Sequence, residues 1–208
     1  MKIHFRELTK LSPTIISTVL KLAEETGELS GEVQKFTNNT YYMKCLLLPD
    51  LLGELMDVAQ VTATLAFVLE RSGLGDLNKA LDTHIEKLKN RQYIDDKNKE
   101  SGEFSIENGQ FVLALPKLSI KPDLTTTFLK LTEETGELVQ LIGKGNGLSG
   151  EMKNIKDAES MATELPLALL DVAQCCVTML YILVEQYGID VDEVIAAHEA
   201  KLSEHGYL

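Results

Sequence analysis

Positive charge is what this chain has least of. Twenty lysines and arginines face 32 aspartates and glutamates, leaving a net charge of −12. That balance opposes the counterion release that drives attachment to nucleic acid polymers, and it disfavours an anionic membrane surface. Cysteine is scarce too: Cys45, Cys175 and Cys176 show no Cys-x-x-Cys spacing, and the last two adjoin in an apolar segment. They read as buried thiols rather than a disulfide framework or zinc site. None of His4, His84, His198 or His205 has a glutamate three residues before it, so the Glu-x-x-His pairs of di-iron bundles are missing. The Asp-x-Asp-x-Asp-Gly loop of EF-hand calcium sites is missing as well. The apolar stretches are broken by Glu54, Asp57 and Asp171, which predicts no spanning helix. Residues 1–12 carry Lys2, Arg6, Glu7 and Lys10 without an apolar run, unlike a signal peptide. The expectation is a cytoplasmic protein without a nucleic acid or membrane partner.

What the chain does have is a repeat. Leu20–Leu29 returns as Leu129–Leu138, changed only at Ala23 against Thr132. Leu55-Met56-Asp57-Val58-Ala59-Gln60 returns as Leu169-Leu170-Asp171-Val172-Ala173-Gln174. His84, Lys87, Leu88 and Tyr93 return as His198, Lys201, Leu202 and Tyr207, with Arg91 replaced by His205. The first block recurs after 109 residues (137 − 28) and the second after 114 (171 − 57), so the second half has five more residues in that connection. Gly143–Gly147 is the expected place for them, as a flexible loop able to act as a lid.

Each half therefore reads as three helices, opening with Pro13 or Pro122 in a first helical turn and a capping residue, Ser12 or Asp123, beside it. Phe104–Glu107, Asn108-Gly109 and Gln110–Leu113 read as a hairpin with a tight turn. The expected organisation is a helical repeat over residues 1–94, a linker with a β-hairpin over 95–117, and a second repeat over 118–208. The fold class is all-α, with two homologous helical units packed as an internal pseudo-dimer.

The acidic residues carry the chemistry. Glu25 and Glu28, and likewise Glu54 and Asp57, are three apart, so each pair projects from one face of a helix. Glu54 and Asp57 are the only charges between Leu51 and Leu69. Unpaired carboxylates are costly to bury, so they must meet a cation, stay hydrated in a cleft, or be neutralised. An all-oxygen donor set suits Mg²⁺ or Mn²⁺, and Mg²⁺ commonly shares its shell with substrate phosphates. Taken alone, the first cluster could also be a solvated acidic helix face.

Glu24-Glu25-Thr26-Gly27-Glu28 followed by Glu54-Leu55-Met56-Asp57 resembles the Glu-Glu-x-x-Glu, Glu-x-x-Asp pattern of the MazG-like nucleoside triphosphate pyrophosphohydrolases. The resemblance implies Mg²⁺ held by Glu25, Glu28, Glu54 and Asp57, with Glu24 activating water or contacting a second ion. It implies cleavage of a nucleoside triphosphate to monophosphate and pyrophosphate. The second half keeps Glu133, Glu134, Glu137 and Asp171 but has Ala168 where Glu54 stands, with Glu164 one turn earlier. Its site (Glu134, Glu137, Asp171) is the weaker one. Lys35, Lys144, Lys87, Arg91 and Lys201 are candidate phosphate contacts, each equally readable as a basic residue near a helix end. The tandem arrangement is also similar to dimeric dUTPases of the same superfamily, so deoxyuridine nucleotides are one substrate option and a homodimer is an expected assembly. The alternative reading is a non-catalytic metal- or nucleotide-binding protein.

Overall fold

The structure, a computed structural model, describes residues 1–95, 102–147 and 157–208. These residues form β1 (Lys2–Arg6), α1 (Ile15–Thr37), α2 (Tyr41–Arg71), α3 (Leu77–Asn90), β2 (Glu103–Glu107), β3 (Gln110–Ala114), α4 (Leu124–Gly145), α5 (Ala158–Tyr187) and α6 (Val191–Glu204). The all-α reading holds, with one small sheet added.

The helix starts follow from capping. Asp123 caps α4 as expected, its Oδ1 accepting the Thr126 backbone N–H at 2.7 Å. At α1 the cap is Thr14 rather than Ser12, because Thr14 and Ser17 satisfy each other's backbone N–H groups in a capping box. Pro13 then lies just outside the helix rather than in its first turn. α4 continues through Gly145, so Gly143 to Gly145 are helical and not a loop; Asn146 closes the helix and Gly147 turns with φ +66°. The rest of the expected lid, residues 148–156, lies outside the described residues.

The hairpin forms where the sequence places it, with Asn108 and Gly109 both at positive φ (53° and 73°). It is more than a connector, however. The residues before α1 hold a strand that pairs antiparallel with β3, giving the order β1-β3-β2. Ile3 and Phe5 point into the core while their neighbours face out. Two inward side chains make too short a pattern to read locally, and the strand is fixed by a partner more than a hundred residues away.

α1 and α4 meet at equivalent positions: Thr26 Oγ1 and Thr135 Oγ1 are buried 3.5 Å apart. The start of α1 (Pro13 to Ile16) shares a cavity wall with the end of α4 (Ile142, Gly145, Asn146), so the two helices run antiparallel. α2 packs on α5 in the centre, α3 packs across onto α5, and α6 packs across onto α2. One core cluster spans both halves. α2 and α5 are each long and apolar enough to cross a bilayer, contrary to the expectation from their interrupting carboxylates. Their apolar windows are instead 78% and 67% buried in this bundle.

Candidate metal and nucleotide site

α1 and α2 bring the first carboxylate set together. One oxygen each from Glu25, Glu54 and Asp57 lies within 4.8 Å of the others. The helix spacing explains this: Glu25 is on the buried side of α1, one turn before Leu29, while Glu54 and Asp57 face it from α2. Glu28 is exposed but within hydrogen-bonding reach of Glu25. Glu24 is exposed and ion-paired to Lys21 at 3.0 Å, outside the cluster. Lys21 also pairs with Glu25 at 2.5 Å, and its counterpart Lys130 pairs with Glu134 at 2.7 Å.

The cluster carries uncompensated negative charge. Oε2 of Glu25 and Oε2 of Glu54 are buried with no hydrogen-bond partner among the described residues. Burial raises both carboxyls above the usual range. At Glu54 the nearby Asp57 and Glu28 add to the rise, and at Glu25 the pairing with Lys21 opposes it. Orphaned carboxylate oxygens converging from two rigid helices fit a hard divalent cation, which needs oxygen donors and no others.

The second half completes this first site. Lys201 of α6 places Nζ 2.5 Å from Asp57 Oδ2, and His198 lies 3.6 Å from Asp57 Oδ1. Burial drives His198 down to about 4 despite the attraction of Asp57, so near neutral pH the imidazole is uncharged. Beside these groups a cleft of about 550 Å³ opens between α2 and the α5–α6 turn. It is lined by Leu48, Leu52, Met56, Tyr187, Ile189 and Lys201, among others. Tyr187 stacks on Tyr41 with ring centroids 5.7 Å apart.

Lys87 and Arg91, grouped in sequence with the first cluster, belong to the other side of the molecule. Lys87 Nζ pairs with Asp171 Oδ2 at 2.6 Å, and Arg91 lines the same small cavity of about 230 Å³. His84 Nδ1 lies 3.1 Å from Asp171 Oδ1. The partners His84 and Lys87 hold the Asp171 carboxyl below its usual range although burial works to raise it. Among the described residues, Glu134, Glu137 and Asp171 do not gather as Glu25, Glu54 and Asp57 do, and Glu164 supplies no third oxygen to them. Lys35 pairs with Glu32 at 2.5 Å near Glu54, whereas Lys144 donates to Gln140.

Sequence reading passed over Glu32, one helical turn beyond Glu28, whose field reaches Glu54. Its repeat position is the buried Leu141, so the second half lacks this acid as well. Gly75 was also unread. At φ +88° it packs so closely on Ala162 and Pro166 that any side chain there would collide with the Ala162 carbonyl and the Pro166 ring. The equivalent positions at the first carboxylate set, Ile189 against Leu48 and Leu52, line the open cleft. The turn is thus shut down on α5 where its counterpart stands open on α2.

Residues 14–93 match the family profile described as the MazG nucleotide pyrophosphohydrolase domain. Those residues hold all of the first carboxylate set. No curated protein and no solved structure matches the chain.

Proposed function

We propose that this MazG nucleotide pyrophosphohydrolase domain hydrolyses a nucleoside triphosphate to monophosphate and pyrophosphate, using a divalent cation at Glu25, Glu54 and Asp57, with Glu28 beside them. The observation that carries the reading is the convergence of three carboxylates, two with buried orphan oxygens, next to a cleft large enough for a nucleoside. Mg²⁺ suits the donor set best and Mn²⁺ is the close substitute. When bound, the ion supplies charge neutralisation for the phosphates and lowers the pKa of a bound water.

The side chains do the rest. Lys201, already held at the cluster's edge by Asp57, is positioned to take a phosphate oxygen, and Lys35 lies on the same side near Glu54. Because Glu24 lies outside the cluster, we assign the proton of the attacking water to Glu28, exposed at the cluster rim beside Glu25. Glu24 points away towards Lys21 and serves the site through that pairing. The water oxygen forms the new bond at the α phosphorus, the α–β bridging bond breaks, and the pyrophosphate leaves with the bridging oxygen. The apolar walls of the cleft receive the nucleoside, with Tyr187 available to stack on the base.

The test is pyrophosphate release from a panel of ribo- and deoxyribonucleoside triphosphates, dUTP included, with Mg²⁺. Release by the wild type and its loss in Glu54→Gln and Asp57→Asn are expected. No release from any nucleotide by a folded wild type would return the protein to the non-catalytic reading.

A further inference from the structure

Further along α5 from the shut turn, the second half keeps a cavity of its own. It holds about 230 Å³ between the end of α3 (Arg91, Tyr93), the start of α4 (Lys130), α5 (Cys175) and the segment before α4 (Leu118, Ile120). That segment is fastened in place: the Ser119 backbone N–H and hydroxyl both donate to the Tyr93 carbonyl, at 2.8 and 2.9 Å. The walls are thus formed before any ligand arrives, as in most small-molecule sites.

The charges on this lining do not cancel. Glu134 is matched by Lys130 at 2.7 Å and Asp171 by Lys87 at 2.6 Å, and His84 against Asp171 adds no negative charge. Arg91 has no ion pair among the described residues. A cavity with one cation in excess runs against the balance of a chain of net charge −12.

Comparison of the two copies isolates what is particular to this cavity. Arg91 corresponds to His205, whose Nδ1 lies 2.7 Å from the Lys201 carbonyl and whose ring stacks on Tyr207. Leu118 corresponds, 109 residues earlier, to Thr9. The correspondence holds in space, because the Lys10 N–H reaches the Tyr207 carbonyl as the Ser119 N–H reaches that of Tyr93. The half that lacks acids at Ala168 and Leu141 therefore carries, beside Asp171, an arginine and a leucine that the first half does not have.

We propose that this cavity binds a small monocarboxylate with an apolar or aromatic body. Arg91 presents a planar fork that fits a carboxylate, while Tyr93, Leu118 and Ile120 receive the body. Charge selects this ligand. A neutral molecule would cover Arg91 without pairing it, and a phosphate dianion would bring one charge more than the lining can match. The cavity has less than half the volume of the cleft beside the first carboxylate set, about 550 Å³, which limits the body to roughly one ring.

Titration of the full chain with benzoate, followed by backbone amide chemical shifts, tests this. Saturable shifts are expected at Leu88, Tyr93, Leu118 and Ile120, with a dissociation constant on the order of millimolar for so small a probe. Benzyl alcohol, neutral and of similar shape, should bind at least ~10-fold more weakly. Arg91→Gln should weaken benzoate as much; Arg91 is exposed at the end of α3, and unchanged amide shifts elsewhere would show an intact fold. Arg91→His with Leu118→Thr, which writes the first half's residues into the second, should abolish saturation. No saturable shift at these amides in the wild type overturns the proposal. So does equal affinity for benzyl alcohol, or benzoate binding that survives Arg91→Gln.

Discussion

At Glu54, the proposed function and stability pull in opposite directions. Its buried oxygen has no partner, and burial, with Asp57 and Glu28 nearby, raises its carboxyl above the unfolded value. A group whose folded pKa is raised favours the fold below the unfolded pKa, and that contribution is lost as pH rises through the folded pKa. Metal-free protein therefore carries the cost at neutral pH. Glu54→Gln keeps the shape and removes the charge, so without metal it should raise the thermal midpoint at pH 7 by about 2–4 °C, the effect of roughly 1 kcal/mol on a chain of this size. The gain should shrink as pH falls through the carboxylate range. Scanning calorimetry across pH checks both, and the same variant should release pyrophosphate at least ~100-fold more slowly.

At the level of elements, the third helix of each half serves the opposite half. Lys201 of α6 reaches Asp57, and Lys87 of α3 reaches Asp171. Lys201→Ala should lower turnover about 10- to 100-fold, while Lys87→Ala should change it little, even though Lys87 lies within the matched domain in sequence. Steady-state pyrophosphate release separates the two. What sequence could show here is local: the glutamate turns, the apolar α2 and α5, the hairpin and the Asp123 cap all follow from spacing within a few residues. What it could not show is pairing over distance, such as β1 on β3, α6 on α2, or Gly75 against Pro166. That last contact matters for any attempt to rebuild the second site. Ala168→Glu in an Asp57→Asn background restores one missing acid but leaves the turn shut on α5 and Leu141 in place of Glu32. Turnover should stay at the level of Asp57→Asn alone, and measurable recovery would show that the closed turn does not limit the second half.

For the whole molecule, the two halves share one core but carry unequal carboxylate sets. Asp57 and Asp171 each pair with a lysine from the opposite half, but Asp57 has Glu25 and Glu54 beside it with orphan oxygens, whereas Asp171 has Ala168 in the place of Glu54. A cation that binds only the folded state stabilises it by about 2.7 kcal/mol at a hundred times its dissociation constant. For a chain of this size that is a rise of roughly 5–10 °C in the thermal midpoint. The rise should appear in the wild type with Mg²⁺ or Mn²⁺ and should persist in Asp171→Asn, because Asp171, unlike Asp57, belongs to no converging set of three carboxylates among the described residues. It should vanish in Asp57→Asn, where the cluster loses a ligand and releases Lys201. Comparing each variant's midpoint with and without metal cancels the effect of the substitution on the fold itself. Calorimetric titration with Mn²⁺ should then give one site per chain in the wild type and none in Asp57→Asn. Two equal sites, or a shift lost equally in both variants, would mean that the halves share the cation after all.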